Sequence, residues 1–246
     1  MSSTKAEINS GKMMVGVGRQ FSAQKMYVFL KGALTGAKMT EAVRALAYMR
    51  DHHEGQVRND GQPYAVHPLM MACYAMSLES EFIDDVVMAG LLLHDVCEET
   101  NTPVEELPFS DEVKRAVKYV TLVRFKDETK FEHKKRYMNE LLECRASVII
   151  KAIDKMFNLM TMSAVFPEDK VRKNVVEADM LFLPVLREAK KKWPEMSRLL
   201  WVLRTGIRAV NDNLALYLKV KLTDEDFVNP PDAVDYSYLL TGAEVH

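Results

Sequence analysis

Met88-Ala89-Gly90-Leu91-Leu92-Leu93-His94-Asp95-Val96-Cys97-Glu98-Glu99-Thr100 decides the reading of this chain. Its first half is apolar on every side, which marks a helix buried among other elements rather than one lying on a surface. A His-Asp doublet at the end of such a helix puts ionisable groups at the edge of the interior, where they need a partner. The spacing predicts a helix over 83–98. In it Glu98 falls four residues after His94 and Glu99 four after Asp95, so all four side chains crowd one face. Carboxylates at that density repel one another unless a cation sits among them.

The rest of the chain agrees with a helical protein. Its 246 residues contain only 10 Gly and 9 Pro, too few turn formers for the hairpins of a sandwich or barrel. At 48% apolar and 28% charged residues it is too hydrophobic to be disordered. With 33 Lys+Arg against 35 Asp+Glu, no polybasic surface for nucleic acid or membrane is implied. Apolar runs such as Val86 to Leu93 fall far short of the roughly 18 residues of a membrane span. Three scattered cysteines (Cys73, Cys97, Cys144) and no apolar leader predict a reducing, cytoplasmic setting. Cys97 has no basic activator nearby in sequence, so a buried thiol is expected, not a nucleophile.

Apolar periodicity predicts further helices at about 21–34, 38–53 (with Thr40 as N-cap), 67–77, 111–122, 127–144, 147–162 and 167–192. From Met196 the apolar positions Leu200, Leu203, Ile207, Val210, Leu214 and Tyr217 alternate in steps of three and four, one long amphipathic helix. This seam is expected to pack on the protein's own helices, anchored by Trp193 and Trp201; the alternative is a homodimer through 196–217. Residues 1–36 are read as an arm and first helix. Residues 222–246 carry six acidic residues and no Lys or Arg, and are read as a solvated tail.

Three separated pieces suit one metal site: His67 in Tyr64-Ala65-Val66-His67-Pro68, the doublet His94-Asp95, and Asp154 in Lys151-Ala152-Ile153-Asp154-Lys155. Two imidazoles and two carboxylates accommodate Mn, Fe, Co, Ni or Zn, and leave an octahedral ion positions for water and substrate oxygen. Asn158 and Thr161 follow Asp154 at four and seven residues, on the same helix face. Each piece alone is weak, since a lone His on a helix is usually structural. Their joint placement at the ends of apolar segments is specific.

These segments carry a resemblance. The run from His53 to Pro68, with Gly55-Gln56, Arg58 and Pro63-Tyr64-Ala65-Val66-His67-Pro68, resembles the opening signature of the RelA/SpoT-homologue hydrolase domain, a branch of the HD phosphohydrolase superfamily. Leu91 to Thr100 resembles its HD-x-x-ED-T segment, Lys151 to Leu159 its last motif, and Pro167 to Leu186 the helix that follows. The likeness covers about Lys38 to Lys190, with no synthetase half after it, as in small hydrolase-only members that degrade ppGpp and pppGpp.

The resemblance implies an all-α HD-domain bundle with its core over 37–192, followed by the C-terminal helix at 193–221. It implies Mn²⁺ on His67, His94, Asp95 and Asp154, and catalytic acids at Glu98 and Glu99. It implies Arg58 against the guanine base and nucleoside contacts from Asn158 and Thr161, with Lys134 and Arg136 near phosphates. The expected activity is Mn²⁺-dependent hydrolysis of the 3′-pyrophosphate of a guanosine alarmone. Alternatives are an adenosine alarmone such as (p)ppApp, whether or not as the neutraliser of a toxic synthetase, and a non-catalytic nucleotide-binding module. Glu99 stands where the family usually has Asp, Asn59 where a basic residue often follows the arginine, and Met160 where arginine is frequent.

Overall fold

The computed structural model describes residues 22–59, 61–121 and 130–218. The arm, the acidic tail, residues 219–221 and the junction at 122–129 lie outside the described residues. Helices α1 (Ala23–Gly36), α2 (Thr40–His52), α3 (Val66–Ser77), α4 (Asp85–Leu93), α5 (Val96–Thr100), α6 (Asp111–Val120) and α7 (Lys130–Leu141) are followed by α8 (Arg145–Met162), α9 (Glu168–Glu177), α10 (Leu183–Lys192) and α11 (Ser197–Tyr217). The expected all-α bundle is what forms; the one β pairing among the described residues is an isolated bridge, Val57 to Pro63. None of the described helices is long and apolar enough to cross a membrane.

Helix α4 is the centre of the bundle. Every residue from Val87 to Leu93 is buried, and α2, α3, α6 and α8 pack around it. Gly90 leaves room for the end of the Ile150 side chain of α8, whose terminal methyl would have to move for a Cβ there. Two adjacent aspartates fix this core. Asp84 caps its own helix, accepting from Val87 N at 2.9 Å, while Asp85 reaches across to α2 and accepts from Glu41 N at 3.0 Å and Ala42 N at 2.7 Å. The N-cap expected of Thr40 is therefore supplied by another helix, and Thr40 is the first helical residue.

Two predicted helices are interrupted. The apolar helix stops at Leu93 and restarts at Val96, because His94 Nδ1 engages the Leu91 carbonyl at 2.8 Å, the group a continued α-helix would offer to Asp95 N. The 167–192 segment breaks into α9 and α10 around a π-turn, Ala178–Phe182, just ahead of Pro184, whose ring cannot continue α-helical pairing. Helix α11 buries Leu199, Leu200, Leu203, Ile207, Asn211 and Leu214 and packs on α8, α9 and α10. Val210 is only partly buried, Tyr217 is exposed, and Trp201, expected as an anchor, is 61% exposed; Trp193 packs against the core.

Candidate active site

The break after α4, the start of α3 and the middle of α8 meet at one point. His67, His94 and Asp154 are all buried, and one ligand atom from each lies within 4.8 Å of the others. His67 Nε2 is 3.2 Å from Asp154 Oδ1 and His94 Nε2 is 3.7 Å from it. Asp95 closes the fourth side, its Oδ1 3.1 Å from His94 Nε2 and its Oδ2 accepting from the Tyr64 hydroxyl at 2.9 Å.

His94 carries the decisive detail. Its Nδ1 faces the Leu91 carbonyl, so Nδ1 holds a proton and Nε2 is the nitrogen turned toward Asp95 and Asp154. That Nε2 is buried and, despite its short distance to Asp95, is not aligned for a hydrogen bond to anything. Burial disfavours a charged imidazole, but the carboxylates of Asp95 and Asp154 outweigh it and hold His94 up to about 10. This point of the structure asks for positive charge. His67 is different: burial pushes its imidazole down, keeping it neutral and ready to donate a lone pair. One imidazole kept neutral by burial, a second that the carboxylates hold protonated, and the orphaned nitrogen between them fit a divalent cation, which would take the place of the His94 Nε2 proton.

Further contacts brace the acids. Lys151 Nζ sits 2.9 Å from Asp154 Oδ2, and Asn158 Nδ2 donates to Asp154 Oδ1 at 2.6 Å. Burial opposes ionisation of Asp154, yet Lys151 and the two imidazoles hold its carboxyl well below the usual range. Burial and the nearby Asp95 carboxylate push the Tyr64 phenol far above its ordinary value, so it remains a donor.

A cavity of about 480 Å³ opens beside these residues. Glu98, Glu99, Arg58, Asn158, Thr161 and Lys134 all line it, as does Asp154. Arg58 is presented by a tight loop in which Gly61, at φ +81°, donates its N–H to the Arg58 carbonyl. Arg58 Nη2 in turn donates to Asn158 Oδ1 at 3.3 Å. The Thr161 hydroxyl donates back to the Phe157 carbonyl at 3.1 Å. Arg136 is not brought to this cavity: it pairs with Glu140 at 2.8 Å and lines a shallow groove on the outer side of α7.

Cations that the sequence reading missed complete the wall. Lys151, Lys155 and Lys170 join Lys134 there, and Glu177 of α9 bridges Lys134 of α7 and Lys155 of α8 at 2.8 and 3.0 Å. The hint in sequence is the pair Lys151 and Lys155, which flank Asp154 in an otherwise apolar helix. Cys97 is buried, and burial with Glu98 and Glu105 pushes its thiol up to about 11, which excludes a ready nucleophile.

No family model matches the chain. It is similar to the bifunctional (p)ppGpp synthase/hydrolase SpoT of Escherichia coli (strain K12), with 29% identity over 149 residues, 58% of this chain and 21% of that protein. It is 32% identical over 152 residues to the guanosine-3′,5′-bis(diphosphate) 3′-pyrophosphohydrolase of Spiroplasma citri, 59% of this chain and 20% of that one. The chain thus spans about a fifth of the length of these relatives. With the guanosine-3′,5′-bis(diphosphate) 3′-pyrophosphohydrolase MESH1 of Xenopus tropicalis it shares 33% identity over 142 residues, 55% of this chain and 76% of that protein.

Proposed function

This chain belongs to the guanosine-3′,5′-bis(diphosphate) 3′-pyrophosphohydrolase family, and from that premise we propose that it hydrolyses the 3′-pyrophosphate of (p)ppGpp, releasing GDP or GTP and pyrophosphate. The observation that carries this reading is the orphaned His94 Nε2, set among His67, Asp95 and Asp154 at the edge of a cavity lined by cations.

His67, His94, Asp95 and Asp154 would hold the ion, Mn²⁺ in this proposal. When bound, it supplies Lewis acidity and a lowered water pKa. Glu98 and Glu99 are exposed at the cavity wall, and would take a proton from the attacking water and return it to the leaving oxygen. Arg58 faces the purine, with Asn158 and Thr161 along the nucleoside. Lys134, Lys155 and Lys170 meet the phosphates, whose growing charge they offset. A cytoplasmic setting is part of the same proposal. A homodimer through 196–217 would have to use Trp201, Leu216 and Tyr217, since Leu200, Leu203 and Ile207 are buried in the protein's own core.

The test is pyrophosphate release from ppGpp, and separately from pppApp, by metal-stripped protein with and without Mn²⁺, beside an Asp95→Ala control. Mn²⁺-dependent release that disappears in the control supports the proposal and ranks the purines. A protein that binds Mn²⁺ and releases nothing from either nucleotide overturns it.

A further inference from the structure

Tyr64 touches both halves of the site, Asp95 on the metal side and Arg58 on the nucleoside side. It closes the loop that carries Arg58, its own N–H donating to the Gln56 carbonyl at 2.9 Å, and it stands just ahead of α3 and His67. Its hydroxyl donates to Asp95 Oδ2 at 2.9 Å, and the other oxygen of that carboxylate faces His94 Nε2 at 3.1 Å. Its ring stacks on His53, with centroids 4.5 Å apart and planes 18° from parallel, while the Arg58 guanidinium carbon lies 5.5 Å from the ring centroid.

Asp95 sits on the two-residue break between α4 and α5, where the backbone does little to orient a carboxylate. A hydrogen bond that engages one oxygen leaves the other as a single, directed ligand, which is how outer contacts tune metal sites. His53 in turn braces the tyrosine: its Nδ1 is 2.8 Å from Gln56 Oε1, its Nε2 is buried without a hydrogen-bond partner, and its flat face lies against the ring of Tyr64.

We propose that Tyr64 is a positioning residue that aims Asp95 at the metal through its hydroxyl and seats Arg58 against the purine through its ring. The inference rests on the roles given to Asp95 and Arg58 in the proposed function. Its consequence is separable behaviour: the hydroxyl governs metal affinity and the ring governs nucleoside affinity.

Two variants of the full chain test it, with Mn²⁺ and GDP as separate probes. Tyr64→Phe keeps the ring and is expected to weaken Mn²⁺ binding, followed by the electron paramagnetic resonance of the free ion, by about 10- to 100-fold. GDP binding in the absence of metal is expected to stay within twofold. Tyr64→Leu is expected to weaken Mn²⁺ equally and GDP by about threefold as well. On an Asp95→Ala background, where the hydroxyl has no carboxylate to aim, Tyr64→Phe should add no further loss of metal affinity, a non-additivity that a merely structural tyrosine would not produce. Mn²⁺ affinity within twofold of the parent in Tyr64→Phe, or additive losses, overturns the proposal alone. A parent that binds no Mn²⁺ overturns it together with the metal reading, whereas a parent that binds Mn²⁺ without hydrolysing ppGpp overturns only the hydrolase.

Discussion

Lys151 and Asp154 stand one helical turn apart on α8, with Nζ 2.9 Å from Oδ2, so the buried carboxylate is half neutralised before any ion arrives. Removing the ammonium leaves Asp154 facing Asp95 with only imidazoles between them. Lys151→Met is expected to cost about 3 kcal/mol in metal-free protein, the lower end for a broken buried pair because the lysine keeps some solvent contact. Urea denaturation in EDTA and then in excess Mn²⁺ checks this: the ion should restore part of the loss, and an equal deficit in both would show that the lysine acts on packing alone.

Asp85 ties α4 to α2 by taking two backbone amides at the start of α2, Glu41 N and Ala42 N. Those N–H groups have no partner inside their helix, so truncating the cap exposes two orphan donors at the most heavily packed junction of the bundle. Asp85→Ala should lower stability by about 1–2 kcal/mol, read as a fall of several degrees in thermal midpoint. Asp85→Asn, which can still accept from one amide, should recover a good part of it. The purine and metal probes should bind both variants normally below the transition.

The sequence shows what packing makes conspicuous. His94 and Asp154 stand out because each interrupts or ends an apolar run, and the all-α class follows from the same runs. The cation wall does not stand out: Lys134, Lys155 and Lys170 lie on three different helices, and each alone reads as an ordinary solvated lysine until α7, α8 and α9 meet around Glu177. Arg136 shows the converse, a basic residue two positions from Lys134 that the turn of α7 carries to another groove. The break at His94 is invisible to periodicity because it depends on where one imidazole nitrogen points.

Glu98 and Glu99 lie on α5, one short helix after the break, and both line the cavity while remaining exposed. Neither is among the three residues whose ligand atoms converge, and the proposed function gives them proton transfer and leaves the ion to His67, His94, Asp95 and Asp154. Glu98→Gln and Glu99→Gln are each expected to lower kcat by about 10²–10⁴-fold while Mn²⁺ affinity stays within a few-fold of the parent. Glu99→Asp, which shortens the reach to that usual in the family, should retain turnover. Loss of Mn²⁺ binding in either Gln variant would reassign that residue to the ion.

Glu177 gives a pH dependence with a definite sign. Burial alone would raise its carboxyl, but Lys155 and then Lys134 overcome it and hold it down to about 2, against an ordinary 4.5. A carboxylate with a depressed folded value stabilises the protein above its unfolded value and loses that contribution as pH falls through the folded one. The window is therefore about pH 4.5 down to 2, and the full effect is at most about 3 kcal/mol. Glu177→Gln should flatten the stability curve over that window and leave two cations of the cavity without their bridge, so that inorganic pyrophosphate binds the variant with a steeper salt dependence. Denaturation at pH 6, 4 and 3 checks the first expectation: parallel curves for parent and variant would mean that the carboxylate of Glu177 contributes nothing through its charge.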